Sequence, residues 1–303
     1  MVLVNSKVLT LSSLLVALAK AQSVGAGIGA NEQRSPSMNA ETLSMQRSMA
    51  GASQLPLGQS MESISAYFLG KRFKTDALGE GPGAPDHDPL ARLDAFDCTT
   101  YVETVWAMHR SRPGDDWTRT LQDLRYRDGQ IAFTERLHFI SVDWLPYQQK
   151  KGRAQDVSSD LGLPLKEART LIDRRGWYEK THPTHLLDFL SRYPKSAPEW
   201  ARIPYVGFGA LLDSPTALEK LRKELKKGVL LANFVRPNFD RTASIGTAID
   251  ISHQGFLLLQ DDKIILRHAS VSLLKVGDED FVDYMKFYRH HRSLKGMQLV
   301  RLL

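Results

Sequence analysis

Apolar positions follow two different periods along this chain. In the last third, runs at residues 229–234, 249–259 and 264–270 are rich in Leu, Ile and Val, which predicts three strands. Asp261-Asp262 fits the centre of a two-residue turn between the last two. That register opposes Gln260 to Lys263, Leu259 to Ile264, Leu257 to Leu266, and Gly255 to His268. A period of two then places His253 and His268 on one face as diagonal neighbours, about 7–8 Å apart at the backbone. Ile251, Leu257, Leu259, Ile264 and Leu266 are expected around them. A slip by one residue would turn His268 to the opposite face.

Upstream, helical spacing takes over. Residues 61–69 read as a short helix ending at Gly70, and residues 79–89, with three glycines and three prolines, must be a loop. Asp97 is a good N-cap, which makes Cys98 the first helical residue. Cys98, Val102, Val105 and Met108 or His109 then form one buried stripe, and Pro113-Gly114 stops the helix. Residues 115–200 mix helical and irregular segments, with a turn at residues 125–129. Two further helices are expected at 164–175 and 215–227, each opened by proline and closed by Gly176 or Gly228.

The N-terminus changes the picture of where the protein works. Lys7 precedes an apolar run of about a dozen residues, too short to cross a bilayer but suited to a secretory signal. Ala19-Lys20-Ala21 supplies the small-residue cleavage pattern. Residues 1–21 are therefore expected to be a signal peptide, 22–57 a flexible Ser/Met-rich segment, and 58–303 a single domain with insertions. The expected location is secreted, periplasmic, without a stable membrane anchor. Loss of Lys7 and Lys20 lowers the formal charge from +6 to +4, with 38 basic residues against 34 acidic. That suits an anionic envelope polymer and is too weak to imply nucleic acid; zinc-finger spacing and phosphate-cradling glycine loops are lacking too.

Export sharpens the meaning of the one cysteine in the chain, Cys98. Exported proteins usually carry paired cysteines or none, so an unpaired thiol is retained either for catalysis or by burial. At a helix N-terminus the free N–H groups and the dipole favour a thiolate, while the charge of Asp97 opposes it. The hairpin supplies partners: Cys98 as nucleophile, His253 as base and His268 as orienter, with the Cys98 N–H as oxyanion donor. Arg136, His138, Asp143 and Trp144 are candidates for a substrate groove, or else a structural knot anchoring the insertion. His182, His185 and Asp86-His87-Asp88 are metal-capable, but their loop context argues for solvated turns. Neither a metal nor an organic cofactor is expected.

At these residues the chain resembles the N-acetylmuramoyl-L-alanine amidase-like family among the bacterial NlpC-type, papain-like cell-wall cysteine hydrolases. The resemblance rests on Phe68-Leu69-Gly70, Phe96-Asp97-Cys98-Thr99-Thr100-Tyr101-Val102-Glu103, Arg125-Tyr126-Arg127-Asp128-Gly129, Arg136-Leu137-His138-Phe139 and Asp143-Trp144. It continues through Asp250-Ile251-Ser252-His253-Gln254-Gly255-Phe256 and Leu266-Arg267-His268-Ala269-Ser270. It implies an α+β papain-like fold with the Cys helix packed on an antiparallel sheet and a helical or irregular insertion. It also implies hydrolysis of amide bonds in peptidoglycan or its muropeptide fragments, with Cys98, His253 and His268 catalytic. One departure is Lys71-Arg72-Phe73, where the family tends to carry Pro-Tyr. Competing readings are a stem-peptide endopeptidase, a papain-like protease or acyltransferase with another substrate, and a non-catalytic envelope-binding protein.

Overall fold

Strand pairing organises the molecule. The computed structural model describes residues 55–303 apart from Pro85, all within one compact unit. The expected signal peptide and most of the 22–57 segment lie outside the described residues, whereas Leu55 and Leu57 already pack on the core. No helix among the described residues is long and apolar enough to cross a membrane.

One sheet runs in the spatial order Ala95–Phe96, Arg72–Phe73, Lys275–Asp280, Lys263–Ser270, Ala248–Gln260, Leu230–Asp240, Gly296–Leu302, Glu199–Gly207 and Lys166–Ile172. Ala154–Asp156 pairs with Gly296–Leu302 off this path. The pairing is antiparallel throughout except between the first two short strands. The sheet curls on itself. Thr170 on the last strand accepts from Asn238 N at 3.0 Å, and Thr247 accepts from Asp173 N at 2.7 Å.

The 260/263 hairpin has the expected register, with Gln260 opposite Lys263, Leu259 opposite Ile264 and Leu257 opposite Leu266. Asp261 and Asp262 both adopt left-handed backbone, at φ 47° and 61°, which a two-residue turn of matching twist requires and aspartate tolerates. Helices cover both faces of the sheet. On one, Phe256 and Leu258 pack with Tyr101, Val105 and Trp106 of the Cys98–Arg110 helix. On the other, Leu257, Ile264 and Leu266 pack with Leu221 of Pro215–Leu225 and with Phe281 and Met285 of Phe281–Tyr288.

Three expectations need correction. The segment expected as a helix at 164–175 is the strand Lys166–Ile172 followed by the helix Arg174–Thr181, which contains Gly176. Its buried residues Ala168, Thr170 and Ile172 alternate, and pairing with Glu199–Gly207 outweighs the opening proline. The Cys98–Arg110 helix is buried all round from Thr100 to Met108, not along one stripe, because the short helix Met61–Tyr67, the helix Trp117–Arg125 and the sheet enclose it. Ile251 leaves the face of His253. The ladder slips from Phe234–His253 to Val235–Ile251, and this bulge turns Ile251 toward Val235, Ala168 and Ile203.

Candidate active site

Local sequence fixes the end of the helix that presents the thiol. Asp97 is the N-cap: its Oδ1 accepts from Thr100 N at 2.8 Å, and Thr100 Oγ1 accepts from Asp97 N at 3.0 Å. This reciprocal box holds Cys98 at the first helical position. The Cys98 side chain is partly buried, and its sulfur lies 3.9 Å from Thr99 Oγ1. Burial, and then the charge of Asp97, push the thiol up to about 11. Hydrogen bonds from the Gln254 main chain and from Thr99 pull the other way. Burial and the Asp97 charge thus favour the thiol over the thiolate.

The contact with Gln254 places the sulfur beside the residue that follows His253. No hydrogen bond joins the sulfur to the His253 ring in this arrangement. Gln254 itself is firmly held: its Nε2 donates to Asn233 Oδ1 at 2.8 Å, Asn233 Nδ2 to Gln298 Oε1 at 3.1 Å, and Gln298 Nε2 to Asp156 Oδ2 at 2.7 Å. Three buried amides, ended by the Asp156 carboxylate, thus link four strands and lock the backbone on which His253 sits.

His253 is partly exposed, with its ring beside Phe234. Its Nε2 lies 2.7 Å from His268 Nδ1, so the hairpin brings the two imidazoles into direct contact. His268 is 2% exposed, and its Nε2 lies 2.7 Å from Glu279 Oε2. Burial, then His268, then Arg236 hold His253 well below the usual histidine range, so it is neutral near pH 7.

Glu279 is the member that sequence reasoning missed. It sits in the strand Lys275–Asp280, Lys-Val-Gly-Asp-Glu-Asp, where no element is expected from the sequence. The available signal was Val276 inside that charged run, with Gly277 facing His268 across the ladder. The strand is pinned by Arg267, 1% exposed, which grips Asp278 through Nε at 2.7 Å and Nη2 at 2.8 Å. That fork sets the register in which the next residue, Glu279, reaches His268.

The four candidate groove residues divide. Trp144 is fully buried against Trp106, ring centroids 5.6 Å apart, so it is core and cannot stack on a ligand. Arg136, His138 and Asp143 line a cavity of about 550 Å³ that the side chains of Cys98, His253 and His268 do not line. Each is tied to neighbours. Arg136 donates to Glu80 at 2.6 Å and Asp86 at 2.8 Å, and Asp143 accepts from Arg174 Nη2 at 2.8 Å. His138 Nε2 lies 2.8 Å from Phe133 O, and burial, then Arg136, keep the ring neutral. His182 and His185 both pack on the Phe133 ring, with His185 stacked at 4.0 Å. Among the described residues no cluster of three or more His, Cys, Asp or Glu side chains is placed to hold a metal ion.

Solved structures with this fold are known. One is a Legionella pneumophila protein of the DUF1460 family, 28% identical, with a TM-score of 0.78 over 88% of this chain and 97% of that one. An N-acetylmuramoyl-L-alanine amidase from Bacteroides uniformis is 23% identical, with a TM-score of 0.60 over 81% of this chain and 98% of its own. A putative xylanase from Bacteroides fragilis is 22% identical, with a TM-score of 0.58 over 79% of this chain and 100% of its own. No curated protein matches the chain by sequence. The model of the AmiA-like family, described as N-acetylmuramoyl-L-alanine amidase-like, matches residues 63–290, and the chain belongs to that family.

Proposed function

We propose that the protein is an exported cysteine amidohydrolase of the papain-like, NlpC type, cleaving an amide bond in peptidoglycan at the muramoyl–L-alanine link. The observation that carries this reading is a His253–His268–Glu279 relay, both contacts at 2.7 Å, on the sheet against which the helix headed by Cys98 packs.

The relay supports one arrangement of protons. A carboxylate accepts only, so His268 carries its proton on Nε2 and donates it to Glu279. His268 Nδ1 then accepts from His253 Nε2–H, and the lone pair of His253 is left on Nδ1. Neutral His253 and the thiol form an uncharged resting pair. The approach of the ring to the sulfur tightens when substrate fills the site, as catalytic contacts commonly do. Nδ1 takes the thiol proton as Sγ attacks the amide carbonyl, and the Cys98 N–H donates to the oxyanion. His253 returns the proton to the leaving amine, and water, deprotonated by the same ring, hydrolyses the thioester.

The test is release of soluble fragments from isolated sacculi by protein lacking residues 1–21, with mass analysis of the products. The expected product is a free stem peptide beginning with L-alanine. Cleavage within the stem peptide would instead make the protein an endopeptidase. Full release by Cys98→Ala would remove the mechanism.

A further inference from the structure

We propose that the cavity bounded by residues 127–143 and 174–196 recognises a carboxylate, that of the acidic peptide portion of the substrate; the choice of peptide rests on the peptidoglycan reading above. Several donors on the cavity wall are unused. Tyr178 is 2% exposed and lines the cavity, yet its hydroxyl has no hydrogen-bond partner among the described residues. Lys195 lines it without an ion pair among those residues. Arg192 commits Nε to Asp188 at 3.1 Å and Nη1 to Glu135 at 3.0 Å, which leaves Nη2 free. Arg127 lies 3.8 Å from Glu135 through Nε, with its guanidinium over the Tyr147 ring.

The carboxylate of the wall is already used. Asp143 Oδ1 accepts from Arg174 and Oδ2 from Phe139 N at 3.1 Å. A pocket rich in free donors is completed by an acceptor, and a carboxylate satisfies several at once. Phe139 and Phe189 add an apolar wall for the carbon skeleton beside it. The pocket wall also borders the strand that carries His253, because Phe139 shares an apolar cluster with Val142, Trp177 and Ile249.

The experiment is calorimetric titration of full-length Cys98→Ala, which needs no turnover, with the dipeptide L-alanyl-γ-D-glutamate, its diamide and inorganic phosphate. The dipeptide should bind saturably and the diamide at least about tenfold more weakly, with Tyr178→Phe and Lys195→Gln each weakening the dipeptide several-fold. Melting temperatures of both variants should match the parent. Equal binding of dipeptide and diamide, tighter binding of phosphate, no saturable binding, or variants that bind like the parent would each overturn the proposal. Dipeptide binding with this pattern alongside wild-type protein that releases nothing from sacculi would support the pocket and defeat the hydrolase reading.

Discussion

Gly255 has no side chain because His268 occupies the space: a Cβ built on Gly255 would lie 2.9 Å from the Cβ of His268 and 2.7 Å from Leu266 Cδ1. The leucine methyl can swing away. The histidine cannot move without disturbing both of its 2.7 Å contacts. Gly255→Ala should therefore cost about 1–3 kcal/mol of stability and lower kcat/KM by about tenfold or more. A thermal melt and muropeptide kinetics check both halves. Unchanged kinetics would mean that His268 does not orient His253.

Glu279 separates charge from tautomer. Glu279→Gln keeps an oxygen that can accept from His268 Nε2–H, whereas Glu279→Ala removes it and frees His268 to carry its proton on Nδ1. Activity should fall in the order wild type, Gln, Ala, with the alanine variant losing about 10–100-fold in kcat at little change in KM. Nitrogen-15 spectra of the imidazoles read the tautomer directly. A wild-type spectrum for the alanine variant would rule out the relay.

The legibility of this chain followed local rules. Cys98 at the head of a helix was readable because Asp97 and Thr100 form a cap within four residues of sequence. The meeting of His253 and His268 was readable because a two-residue turn propagates its register along the ladder. What stayed hidden was non-local. Glu279 depends on the Arg267–Asp278 fork between strands, and the re-aimed Ile251 on a bulge set by Leu230–Asp240. Trp144 looked like a groove residue because an aromatic beside an acid gives the same pattern in a core. The helix expected at 164–175 failed where a cross-strand partner, distant in sequence, decided the conformation.

The uncharged resting pair predicts how Cys98 reacts with an alkylating agent. With the thiol pushed up to about 11, the rate with iodoacetamide should rise about tenfold per pH unit between pH 7 and 10. A preformed thiolate–imidazolium pair would instead give a plateau reaching into acid. His253→Ala should leave the slope in place and lower kcat/KM far more than alkylation. A flat pH profile would show that substrate-free protein already holds the thiolate.

Glu103, on the same helix as Cys98, faces Arg125 at 2.8 Å, with side chains 4% and 5% exposed. Removing one partner strands the other charge in the core. Glu103→Gln should cost about 3–5 kcal/mol, measured by denaturant unfolding, whereas replacing both residues with apolar side chains of similar volume should recover much of that loss. If Glu103→Gln unfolds at the wild-type midpoint, water must reach the arginine.

Acid should loosen the fold through its buried histidines before it reaches the carboxylates that their partners hold low. Burial is the first cause holding His253 and His138 well below the usual histidine range, and it lowers His182 to about 4. These rings are neutral when folded, while in the unfolded chain they bind protons near the ordinary pKa of about 6.5. Below that pH the unfolded state takes up more protons, so stability present at pH 7 is lost as pH falls toward the folded values. The carboxylates lowered by partners, Asp94 by Arg92 and Asp188 by Thr134, come into play only further into acid. The melting temperature should drop by about 2–4 °C for each kcal/mol lost between pH 6.5 and 4.5. His138→Gln tests the cause, because its amide still donates to Phe133 O but takes up no proton. Its melting temperature should fall less steeply over the same interval, and a slope equal to wild type would take His138 out of the account.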